Sequence, residues 1–525
     1  MSKTMATTLD SGWHVRQASP SDFNPSLDLP PLPAQVPGHI HLDLQRAGVI
    51  PDPFYRLQER DVAWVDDVDW TYETTFDLKS VTNGDLYLRF LGLDTVAEIC
   101  LNGRRLATTD NMFIPHEFDI RPFIRQGENS LAVTFRSARR VGRERLEAWS
   151  ARHPALRVHH SMWDARSFVR KAQYMFGWDW GPILLSCGIW RPVELLAVPV
   201  ARITDWHYEA VLESDGATVR IETEIERATG RLDEPLTLLA QGEGMSSASV
   251  MIPTGNTRTT MSLTLNVPGA RRWSPDDPHL YPVRLTMQSD ETIVDERAVR
   301  VGLRTIELVR PPDRDGQGEG FVIRVNGENH FCKGANWIPA DSFPSKTYDN
   351  EASLRPLLSA AREAGCTMLR VWGGGMYESE TFYALCDELG LLVWQDFPYA
   401  CAYYPDDSEA LDVAAAEAMS EVRRIRVHPS LALWCGNNEN HQMYADNWQG
   451  LNPPSFLGES IYETVLPDVV ATHDPATPYW PSSAYGGQNP NSPDVGDRHN
   501  WNVWHGEGIE GGDWPQYAED RARFC

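Results

Sequence analysis

The chain is short of positive charge. Its 47 lysines and arginines face 73 acidic residues, a formal net charge of −26. Such a surface repels phosphates, which argues against nonspecific binding to nucleic acid or to anionic membrane. Long apolar runs are missing as well. No stretch approaches the roughly 18 residues needed to cross a bilayer, so no membrane partner is expected. The opening residues, 1–10, lack the apolar core of a secretory signal. The eight cysteines are scattered, with no CxxC pair. That spacing predicts reduced thiols in a cytoplasmic protein, and neither a disulfide frame nor a cysteine-bound metal. The histidines also lack ligand spacing. Gly373-Gly374-Gly375 follows a strand-like run but lacks the Lys-Ser/Thr of a phosphate loop. No cofactor is expected.

Tryptophan, by contrast, is abundant, at 19 residues. Its flat apolar face suits a core, and it equally suits the C–H face of a sugar. A chain of 525 residues is long enough for three or four domains at about 150 residues each.

Residues 1–200 alternate as short strands do. Leu86, Leu88 and Phe90 share one face, Leu131, Val133 and Phe135 another, and Asn102-Gly103 offers a hairpin turn. The pattern predicts a jelly-roll-like β-sandwich. It breaks over 136–182, which reads as a long irregular insertion. That stretch holds nine arginines, His159, His160 and the run Phe176-Gly177-Trp178-Asp179-Trp180-Gly181-Pro182. Given the acidic whole, the arginines read as solvated or internally paired, not as a polyanion site. Residues 201–307 alternate again, through Val219, Ile221, Leu263, Leu265, Val283 and Leu285. They predict a second, immunoglobulin-like sandwich.

From 308 to 525 strand-like and helix-like runs take turns, the mark of a parallel sheet and, when repeated, of a (β/α)8 TIM barrel. Strands are expected over 331–337, 367–372, 391–396, 431–436, 479–483 and 500–504, with a seventh beginning at 521–525. The barrel therefore reads as truncated in strand seven. Active sites of such barrels lie at the C-terminal ends of the strands. Strand four runs out into Trp434-Cys435-Gly436-Asn437-Asn438-Glu439-Asn440. There Glu439 is a candidate general acid, its pKa raised by apolar neighbours. The alternative is that it caps the next helix or pairs with an arginine.

Five motifs in order resemble glycoside hydrolase family 2, and within it the β-mannosidase branch. They are Trp178-Asp179-Trp180-Gly181-Pro182, Gly334-Ala335-Asn336-Trp337-Ile338-Pro339, Leu369-Arg370-Val371-Trp372-Gly373-Gly374-Gly375, Phe382-Tyr383-Ala384-Leu385-Cys386-Asp387-Glu388-Leu389-Gly390 and the strand-four run ending at Asn440. The resemblance implies an exo-acting, retaining enzyme that removes terminal β-D-mannose from manno-oligosaccharides. It implies Glu439 as acid/base, Asn438 as a hydrogen-bond partner of the sugar 2-OH, and Asp179 as a binder of the terminal sugar. It also implies a nucleophilic glutamate just past Arg521-Ala522-Arg523-Phe524-Cys525, absent from the 525 residues, so that the chain as written is expected to be incomplete and inactive alone. Glu507 sits in a Gly-rich loop and does not match that position.

Trp178 and Trp180 flank Asp179 as candidate substrate-binding residues, and Trp372, Trp448 and Trp501 are candidate sugar platforms, with core packing as the alternative. Arg370 either orients the nucleophile or pairs with Asp396, and His499 either lines the mouth or is structural. Rival readings are another family 2 specificity, β-glucosidase or exo-glucosaminidase, and a catalytically silent sugar-binding protein.

Overall fold

The computed structural model describes residues 3–18, 26–27, 29–79, 84–154, 165–313, 316, 318–448 and 452–501. The first region is a sandwich of two antiparallel sheets. One has six strands, with Trp70–Leu78 and Gly127–Phe135 paired at its centre. The other has four, with Val193–Val198 and Asp85–Phe90 in the middle. Alternation drives this: Leu86, Leu88 and Phe90 turn inward to meet Tyr72, Ile99, Val133 and Phe135. Asn102 and Gly103 both take positive φ, the signature of a tight hairpin turn, between Ala97–Leu101 and Arg104–Thr109.

The second region is a smaller sandwich of a three-stranded and a four-stranded antiparallel sheet. Val219, Ile221, Leu265, Leu285 and Met287 fill the space between them. A small antiparallel sheet, Ile306–Val309, Val322–Val325 and Glu328–His330, then intervenes; the strand–helix reading of the sequence missed it.

Five parallel strands come next: Gly334–Trp337, Met368–Val371, Leu392–Asp396, Leu431–Cys435 and Tyr479–Trp480. Strands three and four are buried at every position, as strands covered on both faces are. Helices Glu351–Glu363, Glu380–Leu389 and Ser408–Ile425 pack outside. Leu354 and Leu358 anchor the first of these, whereas Leu357 is exposed. The expected sixth strand is not seen in its described part, Asn500 and Trp501, and its remainder lies outside the described residues. So do 521–525, His159, His160 and Glu507. The described residues thus hold five strands of the eight expected in a full barrel, and the truncation read at strand seven is not something they establish. Among them, no helix is long and apolar enough to cross a membrane.

The 136–182 stretch is not irregular throughout. It opens with a 15-residue helix, Ala138–Arg152, capped by the Ser137 side chain. Only Ala138, Val141, Gly142 and Trp149 are buried, so its apolar stripe is sparse. Ion pairs replace it: Arg139 with Asp66, Arg136 with Glu144, Arg145 with Asp110.

The first sandwich and this insertion are joined to the barrel. Met112, Trp149, Tyr174 and Trp190 share one hydrophobic cluster with Leu358, Phe397 and Tyr399 of the barrel. Each such side chain contributes about 1.5–3 kcal/mol on burial. Glu417, fully buried on a barrel helix, accepts from Arg170 Nε at 2.9 Å and Nη2 at 2.6 Å, and from Asn111 Nδ2 at 2.7 Å. Arg166 donates to the Ala400 and Cys401 carbonyls at 2.9 and 2.7 Å. The arginines of this stretch are thus largely internally paired.

Candidate active site

Strand four ends at Cys435, and Gly436 comes after it because nothing larger fits. A Cβ there would lie 2.3 Å from the Pro481 carbonyl. Asn438 continues in parallel bridges to Ala400 and Ser483. Glu439 then turns with φ of 65°, in the left-handed region that costs a non-glycine residue about 1–3 kcal/mol. It occupies the position before helix Asn440–Ala445, but its side chain makes no capping hydrogen bond. Capping therefore does not account for this residue. The residue is only 8% exposed. One oxygen, Oε1, lies 2.5 Å from His499 Nδ1, and the other, Oε2, accepts from Cys401 Sγ at 3.3 Å.

Burial pushes the Glu439 carboxyl up, but the His499 hydrogen bond and charge, the Cys401 thiol and the Arg370 charge outweigh it, and the net direction is down. The apolar strand suggested the reverse. The polar partners responsible arrive from strand two and from the loops after strands three and five, which the sequence does not place beside it.

Arg370, at the end of strand two, holds Asp396 through Nε at 3.2 Å and Nη2 at 2.7 Å. The same guanidinium reaches Asn438 Oδ1 at 3.0 Å, Asn336 Oδ1 at 3.3 Å and His499 Nε2 at 3.4 Å. Burial opposes its charge, yet Asp396 holds its pKa above the usual value. The ion pair is therefore present, and the same side chain also joins the cluster. Asp396 is saturated, since Trp394 Nε1 and the Gly373 amide also donate to it at 2.9 and 3.0 Å. A cleft of about 260 Å³ opens beside Asn336, Arg370, Trp394, Ser483, Asp497 and His499.

The insertion reaches this mouth. The Tyr174 amide donates to the Gly374 carbonyl at 2.9 Å. Trp178 and Gly181 then close a two-residue turn with Asp179 and Trp180 exposed at its tip. Trp178 and Trp180 stand edge-to-face on Trp372, with ring centroids 4.7 and 5.9 Å away. Gly374 must be glycine for that stack, because a Cβ would strike the Trp372 ring at 1.8 Å. The triple-glycine run serves close packing at the rim.

The structure brings together Glu439, Asn438, Arg370 and His499, and it sets Trp178, Asp179, Trp180 and Trp372 along one edge. Trp372 is buried, a wall more than a platform. Trp448 and Trp501 are about half exposed, at 46% and 47%. Sequence reasoning missed Cys401, Ser483 and Asp497. Ser483 carried a usable signal, since it ends the expected fifth strand. Ser483 Oγ lies 2.7 Å from Asp497 Oδ2 and 2.9 Å from His499 Nε2. Among the described residues no group of histidine, cysteine, aspartate and glutamate is arranged to hold a metal ion.

Comparison with known proteins bears on this site. Residues 13–191 match the glycosyl hydrolase 2 galactose-binding domain-like family, and residues 201–304 match the glycosyl hydrolases family 2 domain. A β-mannosidase B of Thermothelomyces thermophilus is 37% identical over 96% of this chain and 59% of its own length. One from Aspergillus oryzae is 37% identical over 95% of this chain and 60% of its own. The crystal structure of a β-D-mannosidase from Dictyoglomus thermophilum superposes with a TM-score of 0.90 at 40% identity, covering 99% of this chain and 62% of that one. An exo-chitosanase from Amycolatopsis orientalis shares the fold, with a TM-score of 0.71 at 20% identity, over 97% of this chain and 57% of that one. The chain spans about three-fifths of the length of the curated relatives it matches.

Proposed function

The chain belongs to glycoside hydrolase family 2, and from that premise we propose that it forms the terminal-sugar pocket of an exo-acting, retaining β-mannosidase. The observation that carries the proposal is Glu439: buried at the end of barrel strand four, capping nothing, and held by His499 and Cys401. The extent of similarity to β-mannosidases, at 37–40% identity over nearly the whole chain, supports the substrate class.

In this reading Glu439 is the acid/base. It gives a proton to the glycosidic oxygen as the bond to the leaving sugar breaks. As a carboxylate it then takes a proton from the water that cleaves the glycosyl ester. The ester forms on a second carboxylate about 5 Å away, as retention requires. Asn438 spends its carbonyl oxygen on Arg370 and one amide hydrogen on Cys401 Sγ, at 3.3 Å, which leaves the second amide hydrogen to donate to the sugar 2-OH, a contact that tightens in the oxocarbenium-like transition state. Arg370 holds Asn438 in place and sets a positive charge at the mouth. Asp179 binds hydroxyls of the terminal sugar, with Trp178 and Trp180 beside it and Trp448 and Trp501 as outer faces. Trp372 supports them from below. His499 positions Glu439. A pocket closed on one side by the Asp179 loop suits end-wise attack, as the family resemblance implies. The scattered cysteines suit a reducing cytoplasm.

The test is hydrolysis of aryl β-mannoside, β-glucoside and β-galactoside by this chain and by a protein extended to the length of its relatives. The extended protein should cleave the mannoside with a clear preference. No turnover of mannoside, or an equal rate on glucoside, would overturn the substrate assignment.

A further inference from the structure

Asp497 sits behind His499, and its partners leave little freedom. Its Oδ1 accepts from Trp480 Nε1 at 2.7 Å and from the Tyr485 amide at 2.9 Å. Both partners can only donate. Its Oδ2 lies 2.7 Å from Ser483 Oγ. Burial pushes the Asp497 carboxyl up and outweighs the His499 charge and the three donors, so the net direction is up; the acceptor role rests on the donors themselves. With two oxygens facing three donors, Asp497 acts as an acceptor.

The Ser483 hydroxyl has a single proton. Given to Asp497, it leaves only a lone pair facing His499 Nε2 at 2.9 Å. A lone pair facing that nitrogen requires Nε2 to carry a hydrogen. The other ring nitrogen, Nδ1, is 2.5 Å from Glu439 Oε1, a separation that needs a proton between the two atoms.

We propose that Asp497 and Ser483 are positioning residues that fix His499 in its Nε2–H form, so that the Glu439–His499 contact always holds one proton. The proton has two homes. Either Glu439 is a neutral acid donating to Nδ1, or the ring is an imidazolium donating to a carboxylate. In both cases the proton that a general acid must deliver is already in the gap. A ring free to choose its tautomer would offer Nδ1–H to an ionised Glu439 and hold no spare proton. Arg370 Nη1, which can only donate, also faces Nε2, at 3.4 Å; the serine lone pair at 2.9 Å is the nearer partner and sets the hydrogen on Nε2. The Arg370 charge and the Cys401 thiol both favour the carboxylate form of Glu439. Cys401 Sγ donates to the far oxygen, Oε2, and so leaves Oε1 to the histidine.

The bearing of this clamp on catalysis rests on the reading of Glu439 as acid/base. The tautomer itself does not, and the experiment reads the tautomer alone. The 525-residue chain is labelled with ¹⁵N-histidine, and the His499 signals are assigned by their loss in His499→Gln. At pH 7 the account expects Nε2 protonated, with Nδ1 shared or accepting. In Asp497→Asn the new side chain keeps Oδ1 as acceptor for Trp480 and Tyr485 but presents an amide to Ser483. The serine then accepts from that amide and gives its own hydrogen to Nε2, and the ring should switch to Nδ1–H. Ser483→Ala, which removes the intermediary and stays small, should give a mixture of tautomers. A wild-type ring in the neutral Nδ1–H form, or a ring unchanged in both variants, would overturn the proposal. Loss of glycosidase activity from any cause leaves this reading intact.

Discussion

Glu439 and Asp179 stand at one barrel mouth, yet they are built in opposite ways. Glu439 comes from the end of a fully buried strand, sits on a strained backbone and gives both oxygens to protein partners. Asp179 comes from a different domain, at the exposed tip of a two-residue turn. The contrast separates two tasks. A group that moves a proton needs its protonation state set by fixed neighbours in a low-dielectric site. A group that recognises a hydroxyl needs reach, and a carboxylate whose acceptor sites stay available. The tip is exposed, but its base is not loose, because the Glu417–Arg170 pair and the shared hydrophobic cluster hold it to the barrel.

Four changes would break or sharpen this contrast. The largest effect is expected for Glu439→Gln in a protein extended to the length of its relatives. Its kcat on an unactivated mannobiose should fall by about 10²–10⁴, the usual worth of a general acid. An aryl mannoside with a good leaving group should be slowed far less in its first step. Next comes Arg170→Met, which strands the Glu417 carboxylate in the interior. It should cost about 3–5 kcal/mol in a denaturant titration. A loss below 1 kcal/mol would mean that the base of the turn is not anchored by this pair. Third, Asp179→Asn should lower kcat/KM about 10–100-fold, equally for activated and unactivated substrates, since a hydrogen bond from a sugar hydroxyl to a charged group is worth about 1.5–3 kcal/mol. A leaving-group dependence in that variant would blur the division of labour.

The smallest effect is a pH slope in the barrel wall behind strand four. His428 is buried between Asp387 and Glu380 at 2.6 and 3.1 Å. Burial pushes its pKa down, but the two carboxylates outweigh it and raise it to about 9. The folded value is above the unfolded one, so its contribution is complete below about pH 6.5 and is lost as pH rises through about 9. Melting temperature should fall between pH 7 and 10, and more steeply than in His428→Gln. Equal slopes would remove His428 from the account.

The sandwich strands were legible because one face of each is wet and the other dry, which writes a period of two into residues such as Leu86, Leu88 and Phe90. The helix Ala138–Arg152 was not, because arginine ion pairs stand where an apolar stripe would be. At the site, Glu439 drew attention because a polar run after a buried strand is unusual, and Asn438 entered through the family resemblance. Cys401 and Asp497 were hidden, since a contact between the ends of strands three, four and five leaves no local pattern, and Ser483 was marked only by its place at the end of the expected fifth strand. The downward shift of the Glu439 carboxyl was misread for the same reason: its apolar neighbours are adjacent in sequence, whereas His499 is adjacent only in space.

The central claim is that Glu439 supplies and recovers the proton, and chemical rescue tests it most directly. Glu439→Ala in the extended protein is given an activated aryl β-mannoside, with and without azide. The account predicts that azide, which needs no general base, restores turnover and yields β-mannosyl azide, while mannobiose stays uncleaved. Mannobiose hydrolysis at the wild-type rate, with azide without effect, would contradict it.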